Sequence, residues 1–297
     1  MLRCFYFPSR LHRACLGIFL SFFVVSPAFA ATSSTDAGTF SPLSNEFAAA
    51  IVMTPGTHQV LYSFKPDKKW PAASLTKLSN ALAFVKLAPS WDRVATLKTV
   101  DEVGGGRLRV KNGARVTLRD LLFSSITGSA NNAATALSRL SGLSRTAFLK
   151  RMNTEAKKAG ARYSIFVDAS GMDDRNITTA RDIALIAETA FQQPLIRSAA
   201  TTAQYTVSLV NRKEIHTIKN TNQLLTKDDE VWVIGGKTGY LESSKYNLVV
   251  QLRPVDAEGQ PIHQKELIIT VLGAPTKEGS FNAAKRLASW AWNNHEF

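Results

Sequence analysis

Apolar segments typical of β-strands occur at both ends of this 297-residue chain, whereas helical patterns fill its middle. Residues 46–53 and 59–64 predict an N-terminal hairpin with a turn at residues 54–57. Further strands are predicted at residues 205–210, 214–218, 231–240, 246–252 and 265–272. Because helices and sheets must cover one another's apolar faces, this order predicts a sheet built from both ends of the chain, with a helical subdomain inserted between them.

Apolar residues three and four positions apart predict helices at residues 71–87, 117–128, 132–140, 145–160, 179–191 and 281–292. Pro71 is expected to open the first helix, since its fixed φ suits a first turn. Thr117 with Asp120, and Thr179 with Asp182, have the spacing of N-cap pairs.

Two glycine-containing segments lie in the middle of the chain. Residues 107–116 alternate around Asn112-Gly113, which predicts a hairpin. Gly104-Gly105-Gly106 precedes them, and no Lys-Ser or Lys-Thr pair follows. A flexible turn is therefore expected there, in preference to a phosphate-binding loop.

The first thirty residues have the pattern of a secretory signal peptide. Three arginines precede an apolar run at residues 14–25, and residues 26–30 end in a small-x-small cleavage site at Ala30. A membrane-spanning anchor is the alternative, but the run is shorter than the roughly 20 residues needed to cross a bilayer. We therefore expect export to the periplasm or the medium and cleavage near Ala30. Residues 31–45 are expected to be a flexible lead-in, and residues 46–297 a single domain.

Both cysteines, Cys4 and Cys15, lie in the predicted signal peptide. The mature chain then has no cysteine, which excludes a disulfide framework and a cysteine nucleophile.

Ser74, Ser129 and Lys237 each begin a short motif, namely Ser74-Leu75-Thr76-Lys77, Ser129-Ala130-Asn131 and Lys237-Thr238-Gly239. Ser-x-x-Lys or Ser-x-Asn alone is expected by chance roughly once in a chain of this length. Indeed a second Ser-x-Asn, at residues 280–282, follows Lys-Thr-Gly in the wrong order. The ordered set is far rarer, and it is the signature of penicillin-recognising serine enzymes. It predicts acyl transfer through a covalent serine intermediate.

The first two motifs supply what such chemistry needs. A serine is a poor nucleophile until a base takes its proton, and Lys77 is one helical turn from Ser74. Burial and a nearby cation such as Lys237 would favour the neutral form of Lys77. Ser129 can accept and donate a proton, and Asn131 can hold both Lys77 and a substrate amide. The alternatives are a solvated helix lysine and ordinary N-cap residues.

The third motif is suited to binding a peptide. Lys237 and the Thr238 hydroxyl can bind a carboxylate, and Gly239 allows a ligand to approach the backbone closely. An extended peptide could also pair along this strand as an added edge.

These residues resemble the D-alanyl-D-alanine carboxypeptidases and endopeptidases, the low-molecular-mass penicillin-binding proteins. The resemblance spans roughly residues 46–293. It is carried by the segments 71–78, 166–182, 235–240 and 246–248. It implies a β-lactamase/DD-peptidase-like α/β fold of the α+β type, with an antiparallel sheet flanked by helices and an inserted helical subdomain.

The resemblance also implies roles for individual residues. Ser74 would be the acylated nucleophile and Lys77 its base, while Ser129 and Asn131 would shuttle protons and position the substrate. Lys237 and Thr238 would bind the substrate's carboxylate or the equivalent cross-linked group, and Gly239 would also contribute to substrate binding. The backbone N–H groups of Ser74 and Tyr240 would form the oxyanion hole. No cofactor or metal is implied.

The expected partners follow from charge as well as from the resemblance. The formal net charge is +13, and +10 remains without the three arginines of the leader. A basic surface favours anionic partners. For an exported protein these are the carboxylated peptide stems of peptidoglycan, with β-lactam antibiotics as inhibitors and no nucleic acid. A basic surface without a specific role is the alternative.

Two departures from the carboxypeptidases favour an endopeptidase that cuts D-alanine cross-links. The sequence ends at Phe297, where many carboxypeptidases continue into a second, all-β domain and a membrane anchor, so no permanent anchor is expected. Lys277 stands near Gly279, where a carboxylate-binding arginine is expected in the carboxypeptidases. A D-alanyl-D-alanine carboxypeptidase is the alternative.

Two further alternatives are a β-lactamase and a non-catalytic penicillin- or wall-binding protein. A β-lactamase needs rapid deacylation, often through a Glu-x-x-x-Asn segment between the second and third motifs, and none occurs there. We therefore expect slow deacylation and inhibition by penicillins.

Overall fold

A computed structural model describes residues 46–297. The predicted signal peptide, the lead-in and both cysteines lie outside the described residues. The helices are α1 (Thr76–Val85), α2 (Leu118–Ile126), α3 (Asn131–Leu140), α4 (Arg145–Lys158), α5 (Ala180–Phe191), α6 (Pro194–Thr201), α7 (Gln223–Thr226) and α8 (Lys277–Asn294). The strands are β1 (Ala49–Met53), β2 (Val60–Phe64), β3 (Trp70–Pro71), β4 (Val94–Thr96), β5 (Arg115–Thr117), β6 (Ile177–Thr178), β7 (Gln204–Ser208), β8 (Ile215–Lys219), β9 (Val231–Leu241), β10 (Lys245–Pro254) and β11 (Leu267–Ala274). Short 3₁₀ helices cover Ala73–Leu75, Thr99–Asp101 and His263–Lys265.

The main sheet joins both ends of the described chain, as the sequence predicts. Its five strands run in the order β2-β1-β11-β10-β9, and every neighbouring pair is antiparallel. The N-terminal hairpin therefore pairs with the last strand, with Ala49 opposite Leu272. Strand β9, which carries Lys237-Thr238-Gly239, forms an edge of the sheet.

The sheet is covered on both faces. Along β1, Ala49, Ile51 and Met53 face one apolar core, which includes residues of α1, α2 and α5. Ala50 and Val52 face a second core, which α8 covers. Because both faces are buried, all five residues of β1 are inaccessible to solvent, which fixes the register of the strand.

Helices α1 to α5 correspond to the helices predicted in the middle of the chain, between β2 and β7. The predicted N-caps are present, since Thr117 Oγ1 accepts from the Asp120 N–H at 3.1 Å and Thr179 Oγ1 accepts from the Asp182 N–H at 3.0 Å. Helices α6 and α7 were not predicted. Strands β7 and β8 pair with each other, outside the main sheet.

The first helix begins later than predicted. Pro71 lies in β3, which pairs with β6, and the chain passes through the 3₁₀ turn at Ala73–Leu75 before α1 begins at Thr76. The φ of Ala73 is +48°. This left-handed backbone cannot belong to a continuous α-helix, so the helix cannot extend back to Pro71.

The prediction of a hairpin at residues 107–116 is wrong. The Asn112-Gly113 turn is present, with φ of +80° at Gly113, but β5 pairs with β4 and not with residues 107–110. The Leu108 N–H donates to Asn132 Oδ1 at 2.9 Å, and the Leu108 carbonyl accepts from Asn132 Nδ2 at 3.0 Å. The Asn132 side chain thus occupies the backbone groups that a hairpin would pair.

Within residues 46–297, no helix combines the length and apolarity needed to cross a bilayer.

Candidate active site

The three motifs lie on different elements and meet at one cleft. Ser74 lies in the 3₁₀ turn before α1, Ser129 in the connection between α2 and α3, and Thr238 on edge strand β9. All three line a cleft with a volume of about 530 Å³. Lys77 and Lys237 lie beneath its surface, with exposures of 0% and 1%.

Lys77 contacts the hydroxyl of Ser74 from below. Its Nζ lies 2.7 Å from Ser74 Oγ, 2.7 Å from Asn131 Oδ1 and 2.6 Å from the carbonyl oxygen of Ser170. The amide and carbonyl oxygens can only accept hydrogen bonds. A neutral amine has two N–H groups for these two oxygens and one lone pair left for the Ser74 O–H. Lys77 Nζ is thus within hydrogen-bonding distance of the Ser74 hydroxyl, as a base for its proton must be.

The electrostatic surroundings of Lys77 favour its neutral form. Burial lowers the pKa of Lys77 well below its usual value, and the nearby charge of Lys237 lowers it further, against a smaller opposing effect of Asp168. A buried ammonium loses its hydration, so the neutral form is favoured. The alternative, a solvated helix lysine, is excluded because Lys77 is fully buried.

Lys237 joins the second and third motifs. Its Nζ donates to Ser129 Oγ at 2.9 Å and to the Thr238 carbonyl at 3.0 Å. Burial lowers the pKa of Lys237 to about 7. This amine therefore changes charge near neutral pH, directly beside the Ser129 hydroxyl.

Ser129 and Asn131 are held by the backbone around them. The φ of Ser129 is +57°, a strained conformation for a residue with a side chain, of the kind that clusters at functional sites. The N–H of the following residue, Ala130, donates to the Ser124 carbonyl at 2.9 Å. Asn131 is the first residue of α3, and Ala130 is the N-cap position without a capping side chain, so the side chains of Ser129 and Asn131 do not cap this helix.

Gly239 allows β9 to approach the segment that carries Ser74. A Cβ at position 239 would lie 3.2 Å from the Ser74 backbone nitrogen. The preceding Thr238 hydroxyl lies 2.7 Å from that of Thr221. Tyr240, the next residue along the strand, lines the same cleft, and its ring contacts that of Tyr246 with centroids 4.5 Å apart. The oxyanion hole formed by the N–H groups of Ser74 and Tyr240 stays a prediction.

The loop after β-bridge residue Ile165 belongs to the segment 166–182 that carries the resemblance, but the sequence analysis assigned no role at the site to its residues. The Ser170 carbonyl accepts from Lys77, and the Asp168 carboxylate organises the loop by accepting from the N–H groups of Ser170, Gly171 and Asp173 at 2.5, 2.6 and 2.6 Å. An Asp whose side chain accepts from N–H groups two or more residues ahead is a common turn former. Asp168, followed two and three positions later by Ser170 and Gly171, was therefore the signal in the sequence.

The Gly104-Gly105-Gly106 segment is also part of the site, although only a flexible turn was predicted. Asn131 Nδ2 donates to the Gly104 carbonyl at 2.9 Å, which directs Asn131 Oδ1 towards Lys77. The Asn131 N–H donates to the Gly106 carbonyl at 2.7 Å. A Cβ on Gly105 would lie 2.7 Å from Asn131 Nδ2, so a glycine is needed there.

Two further residues complete the surroundings. Asn247 Nδ2 donates to the Pro71 carbonyl at 2.9 Å, and its Oδ1 accepts from the Gly273 N–H at 3.0 Å. This side chain fixes the segment before Ser74 against the sheet. Lys277, noted in the sequence, lines the cleft at the start of α8.

Comparison with known proteins adds an independent line of evidence. The model of the D-alanyl-D-alanine carboxypeptidase family matches residues 37–276. A D-alanyl-D-alanine endopeptidase of Pseudomonas aeruginosa is 30% identical over 280 residues, which are 93% of this chain and 87% of the relative. A D-alanyl-D-alanine endopeptidase of Escherichia coli is 29% identical over 245 residues, which are 82% and 76% of the two chains. The crystal structure of the Streptomyces K15 DD-transpeptidase is similar with a TM-score of 0.75 at 26% identity, covering 86% of this chain and 100% of that one.

Proposed function

The chain belongs to the D-alanyl-D-alanine carboxypeptidase family, and we propose that it cleaves D-alanyl peptide bonds of peptidoglycan through an acyl-enzyme on Ser74. It is a serine-type D-Ala-D-Ala peptidase with the α/β fold of penicillin-binding proteins. The observation that carries the assignment of Ser74 is the position of the buried Lys77 amine, 2.7 Å from Ser74 Oγ, with two pure acceptors as its other neighbours.

The site residues can carry out both halves of the reaction. In acylation, Ser74 Oγ forms a bond to the D-alanyl carbonyl carbon while its proton passes to neutral Lys77. The C–N bond then breaks, and the leaving nitrogen receives that proton by way of the Ser129 hydroxyl, which can accept one proton while donating another. In deacylation, water gives a proton to Lys77 and attacks the ester carbon. The bond from that carbon to Ser74 Oγ then breaks, and Lys77 returns the proton to Ser74 Oγ, 2.7 Å away.

Substrate binding follows from the second and third motifs. The Lys237 cation and the Thr238 hydroxyl bind the carboxylate beside the scissile bond, and Asn131 and Gly239 help to position the peptide. The N–H groups of Ser74 and Tyr240 stabilise the negative charge that develops on the carbonyl oxygen.

The substrate preference is for the cross-link, which makes the protein a DD-endopeptidase. Relatives from Pseudomonas aeruginosa and Escherichia coli bear that name. In addition, a lysine, Lys277, lines the cleft where the carboxypeptidases are expected to have an arginine. A lysine offers a single point charge, whereas an arginine offers a bidentate grip on a terminal carboxylate. The carboxypeptidase activity remains the second candidate.

The protein acts on the cell wall, in keeping with its family. Residues 1–30 serve as the signal peptide, cleavage near Ala30 releases the protein into the periplasm, and residues 46–297 form one catalytic domain. Penicillins acylate Ser74 and are released slowly, so they inhibit the enzyme.

The test uses purified protein with two muropeptides, a pentapeptide monomer and a cross-linked dimer, with products followed by mass spectrometry. Cleavage of the dimer to monomers with the pentapeptide intact is the expected result. Loss of one alanine from the pentapeptide with the dimer intact would show a carboxypeptidase instead. A Ser74→Ala variant should lose both cleavage and labelling by fluorescent penicillin, and a variant that still cleaves would overturn the assignment of Ser74.

A further inference from the structure

A second groove adjoins the catalytic cleft. It has a volume of about 730 Å³, and Gly105 and Gly106 line both it and the cleft. The Gly106 carbonyl accepts from the Asn131 N–H. A Cβ on Gly105 would lie 2.7 Å from Asn131 Nδ2, and one on Gly106 would lie 3.6 Å from the Ser129 carbonyl oxygen. The groove therefore begins directly beside the second motif. A peptide lying in the cleft can therefore continue over the glycines into the groove.

The walls of this groove are basic. Four exposed side chains line it: Lys98, Arg107, Arg109 and Lys111. The lining contains two carboxylates. Glu102 lies 3.6 Å from Arg107 and Glu214 lies 3.5 Å from His216.

Three of the four cations have no acidic partner among residues 46–297. Within the described part of the chain, no carboxylate forms an ion pair with Lys98, Arg109 or Lys111. Exposed cations that are not neutralised attract anions, and a concave wall concentrates their field. The groove is therefore suited to a ligand with carboxylates.

The backbone beneath these cations is fixed. The Leu97 N–H donates to the Ala114 carbonyl at 2.9 Å, and the Gly113 N–H donates to the Leu97 carbonyl at 3.0 Å. Leu108, between Arg107 and Arg109, is held at both backbone groups by Asn132. Because Asn132 follows Asn131 at the start of α3, the basic wall is tied to the same helix end as the catalytic motif.

We propose that this basic groove binds the carboxylates of the peptide stem of a cross-linked substrate, on the portion of the stem that extends out of the catalytic cleft over Gly105 and Gly106. The proposal rests on the proposed function. An endopeptidase has to accommodate a peptide on both sides of the scissile bond, whereas removal of a terminal alanine leaves a single residue on one side. The groove supplies that additional room, and its charge matches the free carboxylates of the stems.

The test compares two variants with equal loss of charge. The double variant Arg109→Gln/Lys111→Gln removes two cations of the groove. The control, Lys150→Gln/Lys157→Gln, removes two cations that are also exposed, from α4. These two lysines line neither the cleft nor the groove. Each protein is assayed on the cross-linked muropeptide dimer and for its rate of labelling by fluorescent penicillin, which occupies only the catalytic cleft.

We expect the groove variant to lose about tenfold in kcat/KM on the dimer, mainly through KM, since two lost contacts to charged groups are worth about that much. Its rate of penicillin labelling should match wild type. The difference on the dimer should also shrink at high salt, because exposed charges are screened. The control variant should match wild type on every substrate.

Equal losses in the groove variant and the control would assign the effect to overall charge and overturn the proposal. A groove variant with unchanged kcat/KM on the dimer, or with an equal loss on penicillin, would overturn it as well. Failure of the proposed endopeptidase function looks different, because wild-type protein would then leave the dimer intact.

Discussion

Gly171 packs directly against Ala73, since a Cβ at position 171 would lie 2.0 Å from the Ala73 carbonyl oxygen. Ala73 immediately precedes Ser74, so this contact sets the height of the candidate nucleophile above Lys77. We expect Gly171→Ala to displace Ser74 and to slow labelling by fluorescent penicillin by about 100-fold, the usual effect of a displacement of about 1 Å at a reacting atom.

Backbone strain alone would not produce that effect, and Gly142 provides the control. The φ values of Gly171 and Gly142 are +86° and +81°, but a Cβ at position 142 would meet nothing within 4 Å. Gly142→Ala should therefore cost about 1–2 kcal/mol of unfolding free energy from the left-handed backbone and leave labelling unchanged. Equal slowing in both variants would show that strain, and not contact with Ala73, is responsible.

Lys77→Arg tests whether Lys77 acts as a base. An arginine carries a permanent positive charge in proteins, so it cannot accept the Ser74 proton. We expect the rate of penicillin acylation to fall by about 10²–10⁴-fold, the usual contribution of general base catalysis. Lys86→Arg, at the exposed end of α1, is the matched control. Circular dichroism should verify that both variants are folded, and a folded Lys77→Arg protein with near-normal acylation would contradict the assignment.

Asn131→Asp should shift the pH dependence of acylation. Asn131 Oδ1 lies 2.7 Å from Lys77 Nζ, and a carboxylate there would favour the charged form of Lys77 and raise its pKa. The base must be neutral, so the acidic limb of the acylation rate should move to higher pH by about one unit or more. Stopped-flow acylation from pH 5 to 10 would measure it.

Asn131→Ala separates this electrostatic effect from the loss of positioning. The alanine variant should be slower than wild type at every pH, because it adds no charge but removes the contact. The aspartate variant should recover as the pH rises. If the two variants gave profiles of the same shape, Asn131 would not control the protonation of Lys77.

Contacts between residues that are close together in the sequence could be predicted. Ser74 and Lys77 are three positions apart, and Thr117 and Thr179 each cap a helix through a residue three positions ahead. Such contacts follow from helix geometry alone. The sheet built from both ends was also predictable, since a strand with two buried faces has a continuous apolar pattern.

The remaining parts depend on contacts that no local pattern specifies. Ser170, 93 residues from Lys77, contributes only a backbone carbonyl, which every residue has. Asn132 pairs with the Leu108 backbone and so prevents the hairpin that Asn112-Gly113 predicts. The left-handed φ of Ala73, which delays α1, occurs at a residue type that rarely adopts it.

Lys237 should make the stability of the protein depend on pH. Its pKa is about 7 in the folded protein and has the ordinary lysine value of about 10.4 when unfolded. Between these values the unfolded chain binds more protons, so the free energy of unfolding should rise with pH, by about 1.4 kcal/mol per pH unit from this residue. Below about pH 7 both states are protonated and the contribution is constant.

Replacing Lys237 by methionine removes the amine that titrates and keeps a side chain of similar length. Urea unfolding of Lys237→Met at pH 7, 8 and 9 should give a flatter dependence than wild type, by about one proton. Lys219→Met, at an exposed position on β8, should keep the wild-type slope. Parallel curves for wild type and Lys237→Met would mean that Lys237 stays charged in the folded protein above pH 7, and its amine would then act on the substrate as a permanent cation.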